Sequence, residues 1–167
     1  LREEFHSHEN VHGRLSCARG AVLASERTGR SVTVLVVGCG LSSLVFMLAD
    51  DGVNVTCLDI SSSVLSFLHT ASRNVPRPPR FIAGDIAHPW KSRGADGEIL
   101  EAGTFDLILD ENVLDCMACR FPTEAGVASL REAVSGIRWL LRDGGNLLTY
   151  SFTDLQQPPY GEVVSAW

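Results

Sequence analysis

The sequence predicts an α/β fold, a doubly wound and mainly parallel sheet with helices on both faces. Three observations predict it. The run Val32–Val37 is almost wholly apolar and β-branched and stops at a glycine, as a strand buried on both faces does. Strand-length apolar runs then alternate with segments whose apolar residues recur at helical spacing. Glycines and carboxylates gather where the predicted strands end, which is where ligands bind in such sheets.

In chain order, a leading segment and helix occupy residues 1–30, and the first strand is Val32–Val37. After Gly38-Cys39-Gly40, the pair Ser42-Ser43 offers hydroxyl caps for a helix carrying Leu44, Val45, Met47 and Leu48, which Asp50-Asp51-Gly52 stops. Val53–Asp59 is a second strand. Ser61-Ser62-Ser63 caps a helix with Val64, Leu65, Phe67, Leu68 and Ala71 inward, ended by Pro76, Pro78 and Pro79. Arg80–Ala83 is a short third strand, 88–103 a long polar surface loop, and Phe105–Leu109 a fourth strand. From Thr123 to Leu141, Val127, Leu130, Val134, Ile137, Leu140 and Leu141 mark one helix face. Asp143-Gly144-Gly145 ends that helix, and the fifth strand is Asn146–Phe152.

At 167 residues and 45% hydrophobic content the chain suits one domain. No apolar stretch approaches the roughly 20 residues that span a bilayer, so no membrane partner is expected. The first ten residues lack a basic flank followed by an apolar run, so no secretory signal is visible. A net charge of −6 argues against a nucleic-acid partner and suits a cationic one. The five cysteines are expected to be reduced packing residues, as in a cytosol-like compartment. Cys116-Met117-Ala118-Cys119 has metal or redox spacing, but a zinc site needs a second ligand pair, so no metal is expected. His6, His8 and His12 read more readily as solvated side chains than as ligands.

Two of the strand ends point to a nucleoside. The glycines of Gly38-Cys39-Gly40 allow a sharp turn and a close backbone approach, although many strand-to-helix turns use glycine for geometry alone. Asp59 ends the second strand 21 residues after Gly38, where a carboxylate accepts hydrogen bonds from both ribose hydroxyls. The alternative is that Asp59 caps the next helix, a task Ser61 could do unaided. NAD is a rival ligand, but its fingerprint wants a third glycine where this chain has Ser43. S-adenosylmethionine (SAM) has no phosphate and makes no such demand.

The string VLVVGCGLSSL resembles motif I of the class I, Rossmann-like SAM-dependent methyltransferases; CLDIS resembles the acidic end of their second strand, and FIAGDI their strand-three motif. The resemblance implies that Gly38, Cys39 and Gly40 meet the methionine part of SAM, Asp59 the ribose and Asp85 the adenine amino group. Ile60 and Ile86 would bracket the ring. Asp85 could instead simply cap its loop. Phe105-Asp106-Leu107-Ile108-Leu109-Asp110-Glu111-Asn112-Val113-Leu114-Asp115 resembles the strand-four motif FDxVxDKGTLDA of a narrower group. That group comprises methyltransferase-like lysine methyltransferases of translation elongation factor 1A, with the mitochondrial citrate synthase lysine methyltransferase as a relative. LRDGG resembles the usual entry to strand five. The likeness runs from about Val32 to Phe152. It departs at Glu111-Asn112-Val113, where the family has Lys-Gly-Thr. The family sheet also closes with a further strand hairpin, which residues 153–167 are expected to be too short to supply.

The resemblance thus implies a single SAM-binding methyltransferase domain over 1–167, with a core at 31–152 and a truncated C-terminal segment at 153–167. It implies SAM as cofactor, S-adenosylhomocysteine as product and a protein lysine as acceptor, in the cytoplasm or, as for the citrate synthase relative, the mitochondrion. A lysine with its ordinary pKa of about 10.4 must lose a proton before it attacks. Asp110, Glu111 and Asp115 would attract an incoming ammonium, yet their charge opposes its deprotonation. Asp110 and Asp115 are therefore the catalytic candidates, Asp110 also as a cofactor contact and as a substrate-orienting group ahead of a general base. The alternative is a solvated acidic loop that caps the next helix. Other functional readings are a small-molecule methyltransferase and a catalytically silent SAM-fold binding partner. Without the hairpin, Leu147–Phe152 would be an exposed apolar edge, and self-association through it is expected.

Overall fold

A computed structural model describes residues 11–26, 31–119 and 123–152. The strands are β1 (Thr33–Val37), β2 (Asn54–Asp59), β3 (Arg80–Ala83), β4 (Arg93–Gly94), β5 (Phe105–Glu111) and β6 (Leu141–Tyr150). The helices are α1 (Val11–Glu26), α2 (Leu44–Asp50), α3 (Ser62–Ala71), α4 (Val113–Ala118) and α5 (Glu124–Leu140). One sheet holds the strands in the order β4-β3-β2-β1-β5-β6, parallel throughout except for the antiparallel β3–β4 pair. The chain runs outward from β1 through β2 to β3 and then returns to place β5 on the other side of β1. The strand order therefore reverses between β1 and β5, and in such sheets ligands bind at the carboxyl ends of the strands beside that reversal.

Alternation along the strands divides the core in two. Val34, Val36, Val55, Cys57, Leu107 and Leu109 face one cluster, which Leu15, Ala18 and Val22 of α1, Leu44 and Leu48 of α2, and Leu65 and Leu68 of α3 complete. Leu35, Val37, Leu58, Ile82 and Ile108 face the other, closed by Leu114 of α4 and by Leu130, Ala133, Val134, Ile137 and Leu140 of α5. Every residue of β5 is buried, as a central strand covered on both faces requires. Gly136 lets α5 approach the loop after β3, for a Cβ there would lie 1.7 Å from the Ile86 carbonyl oxygen.

Caps and ties hold the layers in register. Ser61 accepts from the Val64 amide at 3.3 Å and Thr123 from that of Gly126 at 3.1 Å, so both hydroxyls cap their helices. Ser43 precedes α2 without a side-chain cap, and the Ser42 hydroxyl takes the Leu44 amide at 3.3 Å instead. Asp106 accepts from the Thr33 amide and hydroxyl, at 2.9 and 2.8 Å, and pairs with Arg142, which joins β1, β5 and β6 at the amino ends of the strands. Its carboxyl sits below the ordinary range: burial alone would raise it, but the bonds from Thr33 and Arg142 outweigh burial.

The structure differs from the sequence reading in two elements. Within the polar loop 88–103, Arg93–Gly94 forms β4 against Ile82 and Ala83. Two residues leave no alternation to read. The helix before the last strand ends at Leu140, and β6 starts at once with Leu141, taking Asp143-Gly144-Gly145 into the strand. Gly144 has φ +75° and the register shifts between Phe105 and Leu107, so these glycines form an irregularity within the strand. Among the described residues no helix is long and apolar enough to cross a membrane. His6, His8 and residues 153–167 lie outside the described residues.

Candidate active site

The glycine turn leaves β1 with Gly38 at φ +65° and Gly40 at φ +47°, backbone that a side chain rarely adopts. The two glycines serve different ends. A Cβ on Gly38 would strike Val113 Cγ2, whereas one on Gly40 would meet no atom closer than 3.9 Å. Gly38 therefore seats the turn against α4, and Gly40 keeps its outer face open. The Cys39 side chain is buried, and its thiol points to Asp59 Oδ2 at 4.0 Å. A hydrogen bond with Cys39, and then burial, push the Cys57 thiol well above its usual pKa, which keeps it protonated.

Asp59 joins this turn to the end of β2. Its Oδ2 accepts from the Gly40 amide at 3.0 Å and its Oδ1 from the Ser61 amide at 2.9 Å. It holds the turn and the start of α3 together, and Oδ1 keeps a further lone pair. Ile60 beside it is 79% exposed, an apolar surface with no partner in the core. One strand over, Asp85 accepts from the Ala87 amide at 2.9 Å and lies 3.9 Å from His88, with its side chain 43% exposed. Ile86 is placed differently from Ile60. It is buried in the cluster under α5 and presents no face to the strand ends.

The strand-four residues form the other wall. Asp110 is fully buried; its Oδ1 accepts from the Val113 amide at 2.8 Å and the Leu114 amide at 3.4 Å, and its Oδ2 has no hydrogen-bond partner among the described residues. Burial pushes its pKa up to about 7 against those two bonds, and the charges of Asp115 and Glu111 add to the rise. Glu111 accepts from the Ser42 hydroxyl at 3.1 Å, and burial raises its carboxyl too, against Ser42 and Arg14. Asn112 has φ +64°, the only non-glycine among the described residues with positive φ. Asp115, on α4, accepts from the Ser151 hydroxyl at 2.7 Å and the Phe152 amide at 2.8 Å, which pins the end of β6 to α4. Cys116 and Cys119 are exposed free thiols, and no group of His, Cys, Asp and Glu among the described residues is arranged to hold a metal.

These positions suit an adenosyl ligand. The open edge of Gly40, the Asp59 carboxylate and the exposed Ile60 side chain lie together at the carboxyl ends of β1 and β2. The sequence reading missed Arg14, on α1, whose guanidinium lies 3.9 Å from Glu111, as well as the bond from Ser42 to Glu111. Neither pairing leaves a mark in local spacing, since residue 111 lies 97 positions from the first and 69 from the second.

Comparison with known proteins agrees with this architecture. EEF1A lysine methyltransferase 4 of Mus musculus is 27% identical over 122 residues, 70% of this chain and 44% of the relative. The eEF1A lysine and N-terminal methyltransferase of Danio rerio is 40% identical over 86 residues, 51% of this chain and 11% of the relative. The chain thus spans less than half the length of these two relatives. The glycopeptide N-methyltransferase MtfA, solved in complex with sinefungin, superposes with a TM-score of 0.54 at 25% identity, over 81% of this chain and 48% of that one. The family model for a methyltransferase domain matches residues 35–147, from within β1 to within β6, and takes in Asp59, Asp85, Asp110, Glu111 and Asp115. More than half of the chain lies in that match, and the chain belongs to the methyltransferase domain family.

Proposed function

We propose that this chain is a SAM-dependent methyltransferase that acts on a protein, with a lysine side chain as acceptor. The observation that carries the reading is the meeting of three turns where strand order reverses. Gly40 donates to Asp59 at 3.0 Å, and Gly38 rests on Val113 of the turn that Asp110 holds. SAM, when bound, supplies a methyl group activated by its sulfonium. The chain's own task is to align donor and acceptor and to exclude water.

In this reading Gly38 and Gly40 admit the methionine end, Asp59 holds the ribose, Ile60 offers an apolar face to the purine and Asp85 accepts from its amino group. Asp110, being buried, is a positioning residue: it fixes the first turn of α4 through the Val113 amide. Asp115 keeps the end of β6 beside that turn. With its pKa near 7, Asp110 is partly neutral at physiological pH, so it opposes deprotonation of an approaching ammonium less than an ordinary carboxylate would. Support for a lysine acceptor comes from the two relatives named as elongation factor 1A lysine methyltransferases.

Calorimetric titration with SAM and with NAD tests the donor, and label transfer from methyl-labelled SAM into a cell extract tests the acceptor. The reading expects binding of SAM alone and label in methyl-lysine of a protein band. Absence of SAM binding, or label confined to small molecules, would overturn it.

A further inference from the structure

We propose that Cys116 and Cys119 form a thiol–disulfide exchange site, a dithiol on α4 that takes a small disulfide of the glutathione class and closes into a bridge within the helix. Cys116 lies within α4, and Cys119 is its C-cap. The Cys116 amide donates to the Asn112 carbonyl at 3.0 Å and the Cys119 amide to that of Asp115 at 2.9 Å, so the helical turn runs through both cysteines. Residues three apart on a helix share a face. On α4 the apolar arc is Val113, Leu114, Met117 and Ala118, which pack into the cluster under α5. Cys116 and Cys119 fall together on the other arc, and both are exposed free thiols. The site needs no methyl donor and stands apart from that reading.

A disulfide wants its Cβ atoms about 3.5–4.5 Å apart, whereas neighbours on one face of a regular α-helix stand about 5–6 Å apart. Closure therefore asks for a small tightening of the last turn, and the end of α4 is built to give it. Cys119 has φ −55° and ψ −19°, close to the 3₁₀ conformation, in which side chains three apart eclipse. The first turn, which Asp110 holds at the Val113 amide, need not move. Two thiols complete a bridge, whereas a structural zinc wants four ligands. Cys39 and Cys57 are buried out of reach of such a reagent, so the reaction falls to the exposed pair. One cysteine thiolate attacks the small disulfide, which forms a mixed disulfide and expels one small thiolate; the other cysteine attacks that mixed disulfide and expels the second. The two cysteines are oxidised, the small disulfide is reduced to two thiols, and those thiols take up the two protons that the cysteines release.

The test incubates the native chain with oxidised glutathione and reads intact mass and peptide maps after acid quenching. The wild-type chain should lose two hydrogens between Cys116 and Cys119 and retain no glutathione, and an excess of reduced glutathione should reverse the change. Cys116→Ser and Cys119→Ser should each retain one glutathione instead, and should need roughly tenfold more oxidised glutathione for half-reaction, because the closing step of the wild-type chain is intramolecular. A register variant, Ala118→Cys combined with Cys119→Ser, sets the second thiol two residues on, where the helix turns it to another face; it should hold glutathione rather than close. Glutathione retained on both cysteines of the wild-type chain, a bridge to Cys17 or no reaction at all would overturn the site. So would a register variant that closes as readily as the wild type, since proximity along the chain would then explain the bridge without the helix.

Discussion

Gly38 and Val113 are fitted to each other: a Cβ on the glycine would lie 2.1 Å from Cγ2 of the valine, so the turn after β1 closes on the first residue of α4. The pair joins the donor and acceptor walls of the proposed site. Gly38→Ala adds a methyl group where there is no room and strains a backbone at φ +65°. A loss of about 2–4 kcal/mol in stability is expected from overpacking and left-handed strain together, with SAM affinity falling in parallel. Denaturant unfolding checks it; a variant as stable as the parent would show that the turn has room to spare.

Asn112 explains why the departure from Lys-Gly-Thr leaves the turn intact. At φ +64° and ψ +13° the residue is left-handed, which glycine adopts freely and asparagine more readily than other side chains. Asn112→Gly should therefore change stability by no more than about 0.5 kcal/mol. Asn112→Val, β-branched, should cost about 1–2 kcal/mol or more. Similar midpoints for the two variants in thermal unfolding would refute the conformational role.

The doubly wound sheet was legible because its central strands are covered on both faces. Val32–Val37 and Phe105–Leu109 are apolar but for Thr33 and Asp106 at their amino ends, and helices cover both of their faces. Gly38, Gly40 and Asp59 were legible together because a strand end, a turn and the next strand end lie at fixed separations in such a unit. What failed to show was local or distant in a way that spacing cannot record. β4 is two residues long, and β6 begins with no connecting residue after α5. Ile86 follows an acidic strand end as Ile60 does, yet α5 covers it, and coverage from residue 136 is invisible at residue 86.

Asp59 is asked to do two things, to brace the turn and to hold the ribose. Asp59→Ala should weaken SAM binding by tenfold or more through the lost charged acceptor, and should cost about 1–2 kcal/mol because the Gly40 and Ser61 amides lose their partner. Asp59→Asn keeps one acceptor oxygen and should recover part of each. Titration calorimetry, run well below the midpoint of the weakest variant, separates affinity from folding. Full SAM affinity in a folded Asp59→Ala chain would end the ribose assignment.

Asp110 makes a prediction about pH whose sign follows from its environment. Its carboxyl titrates near 7 in the folded chain and near 3.8 when unfolded, so the folded state holds the proton more tightly. The resulting stability is fully present below about pH 4 and is lost as pH rises through about 7, at about 1.4 kcal/mol per unit of difference. Glu111 is shifted in the same direction and adds to the slope. Asp110→Asn removes this titration and places an uncharged amide where Oδ2 has no partner among the described residues, while its oxygen still accepts from the Val113 amide. The variant should be less sensitive to pH between 5 and 8 than the parent, and should match or exceed it at pH 8. Denaturant midpoints across that range decide the matter: parallel curves for the two proteins would mean that Asp110 keeps an ordinary pKa, and that solvent or a neighbouring cation reaches its second oxygen.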